Sequence, residues 1–145
     1  MDVQDPGNVG ALVRTAEAAG ATGFVAAGVS ADPLGWKALR ASMGSAFRLP
    51  MGRTADTAGF VAAARARGQQ IVALAPRGGR PPEDVDLGVA TCLLVGGEGP
   101  GLSPALLAGA DHVLTLPMAA PVESLNVAVA GALVVYAAAA QRRAR

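Results

Sequence analysis

One cysteine and one histidine occur in 145 residues. A lone Cys92 allows no internal disulfide and no cysteine-rich zinc framework. A lone His112 leaves no histidine metal cluster and no Ser-His-Asp pattern, so no metal is expected. Aromatic residues make up 3% and charged residues 16%, and Lys37 is the only lysine. A formal net charge of +1 carries no nucleic-acid signal by itself. No long hydrophobic run is present either. The longest, Leu125 to Ala140, is interrupted by Asn126 and Gly131 and is shorter than the roughly 20 residues of a membrane span. The start, Met1-Asp2-Val3-Gln4-Asp5, is polar and acidic, unlike a signal peptide. These absences predict a cytoplasmic protein with no membrane association.

What remains is 52% hydrophobic. With few aromatics, Ala, Val, Leu and Gly must form the core, and small residues let backbones approach closely. The length suits one domain over residues 1–145, and no internal repeat or linker divides it. The basic side is almost all arginine, whose planar fork suits phosphate. Cys92 lies in an apolar run and reads as a core thiol.

The patterning alternates helices with short apolar strands. Asn8–Ala19 reads as a helix entered through Pro6-Gly7-Asn8 and stopped by Gly20. Strands are predicted over 24–27, 47–49, 71–74, 91–95 and 113–116. Helices are predicted over 33–42, from a Thr54 or Asp56 cap to 67, over 103–108, and from Val122 or Glu123 to 142. Pro76 to Pro82 is a loop. Strands apolar on both faces imply a parallel α/β sheet covered by helices on each side. The strand expected before Asp5 is almost absent.

The clearest strand, Thr91–Val95, runs into Gly96-Gly97-Glu98-Gly99-Pro100-Gly101. A glycine loop between strand and helix suggests a nucleotide or cofactor. A dinucleotide fingerprint fails, because its third glycine falls on Leu102 or Pro104. A P-loop fails because Leu102 follows Gly101 where lysine is required.

Three blocks carry a stronger signal. The first is Asp5-Pro6-Gly7-Asn8-Val9-Gly10 with Arg14-Thr15-Ala16 and Gly20-Ala21. The second is Leu94-Val95-Gly96-Gly97-Glu98-Gly99-Pro100-Gly101-Leu102-Ser103. The third is Leu116-Pro117-Met118 with Val122-Glu123-Ser124-Leu125-Asn126-Val127-Ala128-Val129-Ala130. In order and spacing they resemble the three motifs of the SpoU/TrmH family of RNA ribose methyltransferases, within the SPOUT superfamily. Arg40-Ala41-Ser42-Met43-Gly44-Ser45-Ala46-Phe47 resembles the family's stretch before its third strand. The resemblance covers nearly the whole chain.

It implies a parallel sheet with a C-terminal trefoil knot, an exception to the unknotted rule. It implies S-adenosylmethionine bound in the knot, leaving as S-adenosylhomocysteine, a tRNA or rRNA partner, and a homodimer. Cofactor contacts fall on Gly96, Leu116, Met118, Ser124 and Leu125, with Leu74 and Ala75 completing the adenine pocket. Catalytic positions fall on Arg14, Asn8, Glu98, Ser124 and Asn126, while Asp5, Glu17, Arg40 and Ser42 support them or touch RNA. The sequence departs from the family in lacking an N-terminal RNA-binding domain and most of the first strand. A non-catalytic binding module and a base methyltransferase of the same superfamily remain open alternatives, as does an ordinary nucleotide-binding α/β protein. The residues alone add one expectation. The final helix is apolar around its whole circumference, which calls for burial on all sides and hence a second subunit.

Overall fold

A computed structural model describes residues 1–145. The first helix, α1, spans Pro6–Ala18. The Asp5 carboxylate accepts the Asn8 amide proton at 2.8 Å, and Pro6 occupies the first helical position. The cap is therefore Asp5 and not Asn8, whose own side chain is left free. Beyond α1 the chain turns at Gly20, where φ is +78°, into β1, Phe24–Ala27.

The remaining elements are α2 (Trp36–Ser42), β2 (Met51–Thr54), α3 (Thr57–Ala66), β3 (Gln70–Leu74), β4 (Thr91–Val95), α4 (Pro104–Ala108), β5 (His112–Leu114) and α5 (Val127–Arg143). Every strand pair is parallel. β3 shows how the layers form. Its Ile71 and Ala73 pack with Val61 and Ala64 of α3, while Val72 packs with Val134 and Ala138 of α5. Successive side chains point to opposite faces, so helices cover both. On one of them α1 lies against both α2 and α5. Cys92 is a free, half-buried thiol whose pKa is pushed up by burial, which suits a packing role and not a nucleophile.

Instead of one continuous sheet there are two, β1-β2 and β4-β3-β5. Between β1 and β4 runs a cavity of about 730 Å³, walled mainly by apolar residues including Leu12, Ala16, Phe60, Val134 and Val135. Residues 1–3 close one end of it. The Met1 ammonium donates to Val95 O at 2.6 Å and Met1 O accepts from Gly97 N at 2.8 Å, which is parallel pairing with β4. Asp2 N donates to Ala27 O of β1 at 3.1 Å. Phe24 N of β1 and Gly28 N just beyond it donate toward β2, to Pro50 O and Thr54 O. Alternation therefore turns the amides of Val25 and Ala27 toward the cavity, and likewise those of Leu93 and Val95 in β4.

Several predicted boundaries need correction. Residues 47–49 form no strand: Ser45–Phe47 is a 3₁₀ turn, and the strand follows at β2, where Gly52 and Arg53 hide the apolar signal. The second helix begins at Trp36, because the Asp32 carboxylate holds Leu34 N (2.9 Å) in a turn. The last strand is confined to His112–Leu114. The final helix starts at Val127, not at 122 or 123. The Asn126 side chain accepts from Ala128 N (2.9 Å) and Val129 N (3.2 Å) and sets that start. Nor is α5 buried all round within one chain. Val127, Gly131, Val134 and Ala138 are buried at helical spacing, whereas Val129, Leu133 and Tyr136 are about half exposed. No helix is long and apolar enough to cross a membrane.

Candidate active site

The carboxyl ends of β3 and β4 meet the loop before α5 at an open groove of about 200 Å³. All seven residues expected to contact a cofactor line it: Leu74, Ala75, Gly96, Leu116, Met118, Ser124 and Leu125. Such a position, outside the carboxyl ends of parallel strands, is where α/β sheets bind ligands. Sequence reasoning singled out Gly96 but not Gly97, Gly99, Gly101, Pro76, Val95, Val127 or Ala130, which also line the groove. The glycine run was the available signal for the first three. Gly99 and Gly101 adopt φ of +92° and +66°, a region that side chains resist. A Cβ on Gly96 would lie 2.5 Å from the Gly101 carbonyl carbon and the Leu102 nitrogen. The loop folds back on bare backbone.

Leu74, Leu116, Met118 and Leu125 give apolar walls for a flat ring, and the strand ends supply backbone groups for its polar edge. Adenosine with an amino-acid tail fits that donor set.

Three of the candidate catalytic residues meet on the rim. The Asn8 amide donates to the Glu98 carboxylate, and Asn126 Nδ2 donates to Asn8 Oδ1 at 3.1 Å. Capping by Asp5 exposes the Asn8 side chain to do this. One amide thus ties the first turn of α1 to the glycine loop and to the start of α5. Asn126 serves twice, since its oxygen caps α5 while its NH₂ reaches Asn8. Ser124 lies exposed on the groove wall, two residues before that cap. It is not the cap itself.

Arg14 is not brought to this cluster. It lies six residues beyond Asn8, which is about 9 Å along the helix and well around its circumference. It is exposed and takes part in none of the ion pairs. Of the supporting candidates, Glu17 is held by Arg48 at 2.5 Å, and that hydrogen bond keeps its carboxyl below the usual range. Ser42 is buried and donates to Leu39 O at 2.8 Å, a packing role. The loop arginines are engaged internally: Arg77 pairs with Glu123 at 2.9 Å, and Arg80 donates to Asp84 O.

Residues 1–136 match the model of the SpoU rRNA Methylase family. The chain is 40% identical over 134 residues to the 23S rRNA (guanosine(2553)-2'-O)-methyltransferase RlmP of Bacillus subtilis (strain 168), covering 92% of this chain and 54% of that protein. It is 39% identical over 142 residues to the 23S rRNA (uridine(2479)-2'-O)-methyltransferase of Streptomyces viridochromogenes, covering 94% and 50%. The crystal structure of the SpoU methyltransferase AviRb from Streptomyces viridochromogenes, in complex with the cofactor AdoMet, superposes with a TM-score of 0.89 at 37% identity. That match covers 98% of this chain and 58% of AviRb. The chain spans about half the length of the curated relatives it matches.

Proposed function

The chain belongs to the SpoU rRNA methylase family, and from that premise we propose that it transfers the methyl group of S-adenosylmethionine to a ribose 2'-hydroxyl of ribosomal or transfer RNA. The observation that carries this reading is the convergence of all seven cofactor candidates on one groove, with the Asn8–Glu98–Asn126 cluster on its rim. The cofactor supplies an electrophilic methyl group on a sulfonium. Leu74, Leu116, Met118 and Leu125 hold the adenine, and Ser124 and the glycine-loop backbone hold the tail. Glu98 and Asn126 fix the Asn8 amide in one orientation beside the ribose. Arg14 offers a guanidinium, which is a poor base. Its work is to bind the phosphate next to the target nucleotide and to offset negative charge growing on the 2'-oxygen. An RNA substrate of this kind sets the protein in the cytoplasm.

Titration calorimetry tests the binding half. S-adenosylmethionine and S-adenosylhomocysteine are expected to bind, and NAD and ATP not to compete. Labelled-methyl transfer to total RNA, followed by nucleoside analysis, tests the rest. A 2'-O-methyl nucleoside supports the reading, a methylated base moves the chain to the base-modifying branch, and cofactor binding without transfer makes it a binding module.

The active unit is a two-fold homodimer. Val129, Leu133 and Tyr136 form an exposed apolar stripe on α5, and α1, the helix of the unpartnered Arg14, lies alongside. A partner's Arg14 would then complete each groove. Light scattering at micromolar concentration is expected to give a dimer, and Leu133→Arg a monomer with methyl transfer lost. A wild-type monomer with full activity would overturn this. The chain is a catalytic domain over 1–145, and the cavity between β1 and β4 has the place of one more parallel strand. The turned-in amides of Val25, Ala27, Leu93 and Val95 support that. The C-terminal knot is supported by the way the last segment is clasped against the loop after β3. There Gly79 N donates to Thr115 Oγ1 (2.9 Å), Thr115 Oγ1 donates to Ala75 O (3.0 Å), and Arg77 pairs with Glu123.

A further inference from the structure

The chain's only tryptophan, Trp36, opens α2 with 63% of its surface exposed. One turn later Arg40 lies over its ring, with the guanidinium carbon 5.0 Å from the ring centroid. Exposure here is fixed by packing on the opposite side. Ala38 and Ser42 are fully buried against α1, and a Cβ on Gly10 would sit 2.4 Å from Ala38 O and 2.5 Å from Ala41 Cβ. With the two helices that close, α2 cannot roll to cover the indole.

The charge around it is unbalanced. Lys37, Arg40 and, on the adjoining α1, Arg14 join no ion pair. On the preceding loop Asp32 is taken by Arg53 at 3.3 Å, and on α1 the one carboxylate, Glu17, is taken by Arg48 at 2.5 Å. An aromatic face braced by a guanidinium plane, flanked by free cations, matches the needs of an unpaired base on its phosphate chain. A protein interface selects against lysine at such a centre, and the apolar stripe on α5 already offers a surface for a second copy.

We propose that the outer face of α2 is a stacking platform for single-stranded RNA, with a base on Trp36 and phosphates on Lys37 and Arg40. It takes from the proposed function only that RNA is the ligand, and it would lead the strand toward Arg14. Because Trp36 is unique, its emission reports on the platform directly. A single-stranded oligoribonucleotide of about a dozen nucleotides is titrated while emission and anisotropy are read together. Expected are quenching of Trp36 on binding, roughly tenfold weaker binding by Trp36→Ala, and substantial rescue by Trp36→Phe. Lys37→Ala should flatten the salt dependence, with S-adenosylmethionine affinity unchanged in every variant. RNA binding with unaltered emission and unaltered Trp36→Ala affinity would overturn the platform, as would absence of RNA binding by the wild type. So would loss of the dimer in Trp36→Ala, which would make the face a protein interface. Quenching without methyl transfer by the wild type would leave the platform standing and remove the methyltransferase reading instead.

Discussion

Arg14→Ala is expected to reduce methyl transfer by about 10²–10⁴-fold, the usual range for a positioned catalytic group. Cofactor affinity should stay unchanged. The side chain is exposed, outside the groove and outside every ion pair, so its removal disturbs neither packing nor the cofactor walls. Arg14→Lys should fail nearly as badly, because an ammonium is a point charge and cannot reproduce the planar two-pronged contact with phosphate. If the arginine serves the partner's groove, a further result follows. Mixing Arg14→Ala subunits with subunits disabled in the groove should restore transfer, since a mixed dimer holds one intact site. Single-turnover assays with labelled cofactor decide both points. Wild-type rates in Arg14→Ala would return the residue to an ordinary solvated position.

Gly96→Ala provides the complementary loss, of cofactor binding with the fold retained. The new methyl would meet the Gly101 carbonyl carbon and the Leu102 nitrogen at 2.5 Å, both backbone atoms that cannot rotate away. Relief requires the glycine loop to shift, and Leu102 is itself buried in the core beside Ile71 and Leu94. Overpacking of this kind costs about 1–3 kcal/mol, which corresponds to a cofactor affinity lowered by about 5- to 150-fold if the shift falls on the groove. Gly99→Ala is the control. Nothing lies within 4 Å of its Cβ position, and only its φ of +92° opposes the change, so its loss should be smaller. Calorimetry with S-adenosylhomocysteine measures both variants, and a thermal melt shows whether the domain still folds. Unchanged affinity in Gly96→Ala would mean that the loop does not shape the groove.

The groove was legible in the sequence because its parts are local. Thr91–Val95 is apolar and β-branched at both ends, and a glycine run follows it directly. The leucines of the third block could be aligned only by motif order, since a leucine alone reads as core. What joins the parts was not legible. Asn8 meets Glu98 and Asn126 across separations of 90 and 118 residues, and no local pattern encodes that. The start of the last helix was set too early, at 122 or 123, because no helix breaker follows Pro121. Only the geometry shows which side chain reaches the free amides. On α5, residues apolar on every side call for burial on every side; within one chain, spacing divides them into a packed stripe and an exposed one, and the exposed one is the face proposed for a second subunit. The division of the sheet was hidden as well, since a strand's sequence does not say which of its edges is paired.

The single amide of Asn8 has a thermodynamic consequence. It is held from one side by the loop that lines the cofactor groove and from the other by the cap of α5, and it rides on the same rigid helix as Arg14. A ligand that tightens the glycine loop also tightens the seat of α1, and a strand of RNA drawn onto α1 stiffens the loop in return. The two ligands are then linked, and linkage is reciprocal: the factor by which cofactor strengthens RNA binding equals the factor by which RNA strengthens cofactor binding. Cutting the joint at Asn8 separates the two equilibria and leaves the apolar walls of the cofactor groove in place.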